Sequence, residues 1–286
     1  MTHDHVPTAP SASPRTGRLA RLAWLGVLVA GVLAYVVVLR VMVNTENLNF
    51  FPSLLLLGAI TVPVSVLAFA ETGGRGPAVR GWLVATVAIA GGVVGTVTAG
   101  TLEFDTLRTL GTVPMLFVGL IEEFAKLVVP LAVFLVLRPR DPRGGVVVGV
   151  ASGMGFAVLE TMGYGFQELL RARSIAAVDE ELLLRGLLSP ACHIAWTGMT
   201  VAMLWRIPSA RRRGRAVWAF VGTYLLAVVL HATWDSSGSD LVHLVVAVVG
   251  LVVLFVFLLR AHRRVPATPP SAQPSATPPS RQAWGR

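Results

Sequence analysis

Val118-Gly119-Leu120-Ile121-Glu122-Glu123-Phe124-Ala125-Lys126-Leu127-Val128-Val129-Pro130 is the middle of an apolar stretch running from Gly111 to Leu137. A helix needs about 20 mostly apolar residues to cross a bilayer, and this stretch has them. Two carboxylates and an ammonium interrupt it within five consecutive positions, where charge is expensive and by default marks function. The stretch therefore reads as a membrane span built around a polar site.

The rest of the chain agrees. Of its 286 residues, 54% are hydrophobic and 14% are charged, and the mean hydropathy is +0.70. A soluble domain carries roughly a quarter charged residues, so here apolar surface must face lipid. Eight stretches qualify as spans: 21–43, 51–70, 81–100, 111–137, 144–168, 187–205, 216–236 and 241–261. The third is rich in glycine and alanine and is the least hydrophobic of them. The predicted class is an all-α integral membrane protein of about eight helices. Leu22–Leu39 follows Arg15, Arg18 and Arg21 like a signal peptide, but it lacks a small-residue cleavage pattern and reads as an uncleaved first span. Pro63 and Pro130 lie inside spans and predict kinks.

The net charge of +9 could suggest nucleic-acid binding. The arginines instead sit in short clusters between apolar runs, which excludes one basic stripe and with it a nucleic-acid partner. One set comprises Arg15, Arg18 and Arg21, then Arg75 and Arg80, then Arg138, Arg140 and Arg143, then Arg206, Arg211, Arg212, Arg213 and Arg215, and finally Arg260, Arg263, Arg264, Arg281 and Arg286. The alternate segments hold Arg40, Arg108, Arg171, Arg173 and Arg185. Eighteen against five predicts that both termini are cytoplasmic. Residues 1–18 and 265–286 contain or consist of Pro, Ser and Thr-rich sequence with little to bury, and read as disordered tails. They flank a polytopic domain at 19–264, with the polar core at about 110–236. The single cysteine, Cys192, excludes an internal disulfide and reads as a packing thiol.

Ionisable groups inside the expected spans are Glu122, Glu123 and Lys126 in the fourth, Glu160 in the fifth, His193 in the sixth and His231 in the seventh, with Asp235 at the outer end of the seventh. At 1.5 Å per residue, Glu122 and Glu160 lie roughly 12 Å from the outer ends of their spans and the histidines about 9 Å. Four antiparallel helices thus place their polar groups in one outer-leaflet layer. Glu122 and Lys126 are four apart and Glu123 and Lys126 three apart, so one lysine reaches either carboxylate. Adjacent carboxylates in a low-dielectric site cannot both ionise cheaply, which leaves one free for acid–base work. His231 and Asp235 are again four apart, so the aspartate can orient the imidazole. Gly145, Gly149 and Gly153 form a small-residue stripe suited to a close helix approach. Lys126 is the sole lysine beside 23 arginines. A compact ammonium is wanted there and not just any cation. The segment 171–186, with Asp179, Glu180 and Glu181, reads as an amphipathic outer gate or a solvated loop. Arg185 reads as a substrate guide or an interface marker.

These residues resemble a known family. Glu122-Glu123-Phe124-Ala125-Lys126 resembles the EExxK motif of PrsW-type intramembrane proteases, and Phe156 to Glu160 their FxxxE. The segment from Arg185 to His193 and the stretch His231 to Asp235 are similar to their arginine-to-histidine segment and closing HxxxD. A more distant group, the CAAX proteases and bacteriocin-immunity proteins, uses EExxxR, FxxxH and HxxxN/D. Here the lysine comes one residue early and Glu160 stands in place of a histidine; Thr161 also replaces the asparagine common after the glutamate.

The resemblance implies a multi-pass protease of the cell membrane that cuts membrane-anchored proteins near their extracytoplasmic side, with an anti-sigma factor as one substrate class. It implies a catalytic set of Glu122, Glu123, Lys126, Glu160, His193, His231 and Asp235. Two mechanisms stay open. In one, zinc is held by His193 and His231 with Glu160 or Asp235, and Glu122 or Glu123 acts as base. In the other the paired glutamates activate water directly and the histidines stabilise the oxyanion. A proton-coupled transporter and a non-enzymatic membrane scaffold are the alternative readings of the same polar residues.

Overall fold

The computed structural model describes residues 22–72, 79–137 and 143–263. The tails expected at 1–18 and 265–286 lie outside the described residues, as do the arginines at 15, 18, 21, 75, 138, 140, 264, 281 and 286. The helices, in chain order, are α1 Ala23–Thr45, α2 Phe51–Thr72, α3 Gly81–Leu110, α4 Met115–Leu137, α5 Gly144–Ala172, α6 Ile175–Leu188, α7 Ala195–Arg206, α8 Arg213–Ser236 and α9 Asp240–Arg263. A 3-10 turn, Leu48–Phe50, leads into α2, and a π segment, Pro190–Ile194, joins α6 to α7.

Seven helical runs among the described residues are long and apolar enough to cross a membrane, with α6, the π segment and α7 counting as one run from Ile175 to Arg206. The eighth crossing is α4, whose 23 residues carry Glu122, Glu123 and Lys126 and so fall short on composition alone. This is a multi-pass all-α membrane protein. Pro63 and Pro130 both lie inside continuous helices.

Three boundaries differ from the sequence reading. The third span does not stop at 100: α3 continues to Leu110 and ends on Gly111, whose left-handed φ of 73° and N–H bond to the Leu107 carbonyl close the helix. Glu103, Asp105 and Arg108, beyond the expected end of the span, are helical. The segment 171–186 is not a solvated loop. Ser174 caps α6 by accepting from the Ala177 N–H, and Val178, Leu182 and Gly186 are buried. The sixth span is accordingly the second half of a 32-residue run.

At the centre lies α5, buried on every side from Gly144 to Val158. It packs against α2, α3 and α7, while α1 packs on α2 and buries only Tyr35 and Met42. In lipid, helices associate through close packing because the tails are as apolar as the side chains. The glycine stripe serves that purpose. A Cβ on Gly153 would stand 2.6 Å from the His193 carbonyl oxygen, and one on Gly149 would stand 2.7 Å from that of Thr197. Any larger residue at 153 would push the π segment, and His193 with it, away from α5.

The arginine alternation predicts that the α3–α4 turn and α6 lie outside. Glu180 is exposed on α6. A Glu180→Cys variant on a Cys192→Ser background should react with a membrane-impermeant thiol reagent applied from outside. Reaction only from the cytoplasmic side would reverse the orientation.

Candidate active site

Lys126 is the hub. Fully buried, its Nζ donates to Glu123 Oε1 at 2.8 Å and Glu122 Oε2 at 3.1 Å, and lies 2.8 Å from His193 Nδ1. The Phe156 ring sits below it, 4.4 Å from Nζ to the centroid, a cation–π contact that shares its face of α5 with Glu160. Ser152 fixes the same turn of α4 by donating to the Lys126 carbonyl at 2.8 Å.

His231 on α8 lies among three carboxylates. Its Nδ1 is 2.9 Å from Glu123 Oε1, and its Nε2 is 3.1 Å from Asp235 Oδ2 and 3.5 Å from Glu122 Oε2. The approach depends on Gly119, where a Cβ would stand 2.8 Å from the Val228 carbonyl oxygen and 3.4 Å from His231 Cβ. His193, presented by the π segment, meets Glu160 Oε2 through Nε2 at 3.0 Å. Glu160 also meets Arg185 Nη2 at 2.9 Å, and the Arg185 guanidinium stacks 3.8 Å above the Tyr164 ring. So Arg185, left between two roles by the sequence, is tied to the polar layer. Trp196, fully buried, walls the site, with its ring centroid 5.2 Å from that of His231 and 5.9 Å from that of His193.

All seven residues singled out by the sequence thus meet in one network spanning α4, α5, the π segment and α8. Trp196 was missed, and so was the continuation of α3 through Glu103 to Leu110. A buried tryptophan has no signature among apolar residues. Glu103 was passed over because its helix was ended too early; Gly111 as a helix-closing residue was the available signal. Cys192 is buried and takes no part in these contacts.

A cavity of about 390 Å³ opens beside His193, lined by Arg185, Leu184, Leu188, Trp234, Leu244 and Ala247 among others, with Glu181, Asp240 and His243 also on its wall. The cavity lies between α6 and α9 and borders the network at His193 and Arg185.

A family model for the PrsW family intramembrane metalloproteases matches residues 77–261, from just before α3 into α9. The chain belongs to this PrsW family. It is a PrsW-type intramembrane peptidase, and its substrates are proteins in the membrane. Comparison with curated proteins and with solved structures gives no match. The match sets aside the transporter and scaffold readings.

PrsW family members are metalloproteases, and the site brings together groups that can hold a metal. Glu122, His193 and His231 can each offer one ligand atom within 4.8 Å of the others. Two imidazoles and a carboxylate are a donor set that catalytic zinc uses. The geometry puts Glu122 in this trio, whereas the sequence had suggested Glu160 or Asp235; Glu160 is instead paired with His193 and Arg185. Carboxylates behind both imidazoles, Glu123 on His231 and Glu160 on His193, are the usual outer support of metal-binding histidines. Charge agrees. Among the described residues, Glu122, Glu123, Glu160 and Asp235 face two permanent cations, Lys126 and Arg185. The residues fit a divalent metal. The Lys126 ammonium bonds two of the same three residues, so it and a metal draw on shared donors.

Proposed function

We propose that this protein hydrolyses peptide bonds of membrane-anchored proteins near the extracytoplasmic ends of their spans, with Glu122 as the carboxylate that works on water. The observation that carries this is the asymmetry between the two glutamates. Glu123 is held by Lys126 and His231 together and its side chain is 2% exposed, while Glu122 makes looser contacts and keeps 10% exposure. A fixed carboxylate orients; a freer one exchanges protons.

In the proposed reaction the water oxygen attacks the scissile carbonyl carbon and its proton passes to Glu122. Lys126 supplies a fixed positive field for the charge that develops on the carbonyl oxygen. As the C–N bond breaks, Glu122 returns the proton to the departing amine, leaving a carboxylic acid and an amine. Glu123 holds His231, and Glu160 with Arg185 holds His193. A zinc ion held by His193 and His231, with Glu122 beside it and free to take the proton, would polarise the carbonyl and make water a better nucleophile at neutral pH. The resemblance supports a single-span anti-sigma factor as the natural substrate.

The test is reconstitution in vesicles with single-span reporter proteins, alongside metal analysis. The purified protein should carry about one zinc per chain. His231→Ala should lose it, and chelation should stop cleavage until zinc returns. Full cleavage by metal-free protein would overturn the zinc assignment, and failure to cut any anchored reporter would overturn the substrate class.

A further inference from the structure

Glu103 belongs to none of the family's motifs, yet α3 brings it to the same layer. It lies seven residues before the end of α3 at Leu110, and Glu122 lies seven residues after the start of α4 at Met115. The two helices are packed neighbours joined by the turn around Gly111. Both carboxylates therefore sit roughly 10 Å down from the same hairpin.

The facing of α3 is set by Ala99, one turn deeper than Glu103 on the same side. Ala99 is buried in a small cluster with Ile121, Ala125 and Phe156. Ile121 and Ala125 flank Glu122 and Lys126 in the chain, and Phe156 is the ring under the Lys126 ammonium. The Ala99–Glu103 face thus looks at the site. Glu122, Glu160, His231 and Lys126 all lie within electrostatic range of Glu103. Its Oε1 is buried and has no hydrogen-bond partner among the described residues. A buried carboxylate oxygen left unpaired costs stability, and such groups persist where something other than stability selects them.

We propose that Glu103 is a further residue of the site, whose Oε1 accepts a hydrogen bond from the water that attacks the peptide and holds it for Glu122. No bond to Glu103 forms or breaks; the water's second hydrogen is its only contact with the reacting atoms. The α3–α4 hairpin is then the route by which water enters from outside. This rests on the hydrolytic reading above.

Two measurements on the full-length protein in vesicles test it. Glu103→Gln should lower kcat for a cleaved single-span reporter at least about tenfold with KM unchanged. The thermal midpoint should hold or rise, because a half-buried carboxyl group with an unpartnered oxygen becomes a neutral amide. Independently, Glu103→Cys on the Cys192→Ser background should react with a small, charged thiol reagent added outside. Val97→Cys, at an exposed position one and a half turns deeper, should stay unmodified in lipid. A wild-type rate in Glu103→Gln, or a rate loss matched by a fall in thermal midpoint, would overturn the proposal. So would a Glu103→Cys thiol closed to the reagent. Labelling reads water access whether or not a reporter is cut, so failure of the protease reading and failure of this inference appear separately.

Discussion

Glu122→Gln is expected to abolish cleavage, a loss of about 10²- to 10⁴-fold, while the protein still inserts and accumulates. Glutamine keeps the shape and can still accept from Lys126, so the bundle should not notice. What it loses is the ability to take and return a proton. Glu123→Gln should be comparably inactive for another reason. Its Oε1 accepts from Lys126 and faces His231 Nδ1, so the amide loosens both. That variant should also melt at a lower temperature than Glu122→Gln, because it weakens the more deeply buried pair. Initial rates on a cleaved reporter and melting curves would separate the two roles. Normal cleavage by both variants would remove the central assignment.

Lys126→Arg is the second large effect. If position 126 needed only a positive charge, arginine would serve, as it does everywhere else in this chain. The ammonium instead makes three contacts of 2.8 to 3.1 Å in a fully buried site roofed by Phe156. A planar guanidinium is bulkier and cannot direct its donors at Glu122, Glu123 and His193 together. The expected loss is at least about tenfold in rate, near 1.4 kcal/mol in the barrier, with a shifted pH–rate profile. Lys126→Met should fare worse, since it leaves buried carboxylates without their partner. An unchanged rate and pH profile in Lys126→Arg would show that charge alone suffices.

Much of this architecture was legible in the order of residues. Charges inside apolar stretches are rare enough that Glu122, Glu123, Lys126, Glu160, His193 and His231 stood out. Their matched depth followed from helix rise and chain direction alone, and the structure brings them together. The pairings were less legible. Spacing within a helix showed that Lys126 could reach both glutamates and that Asp235 could reach His231. It could not show that Lys126 touches His193, because that contact joins α4 to the π segment. Hydropathy also failed toward the outer ends of helices. The last turns of α3 after residue 100 and the acidic residues of α6 are too polar to read as span, yet a glycine cap and a buried stripe of Val178 and Leu182 keep them helical.

The π segment has an angular consequence. Arg185 and His193 are eight residues apart, and both grip Glu160. In an unbroken α-helix, eight steps of 100° would leave them about 80° out of line. A π turn takes about 4.4 residues, so each of its steps rotates the chain only about 80°. Four α steps to Ser189 and four π steps beyond it bring His193 to within roughly 10° of Arg185. The widened turn acts as a phase shifter. It lets one carboxylate on α5 be clasped by two residues of a single helical run, and the removal of one residue between them would rotate the clasp open.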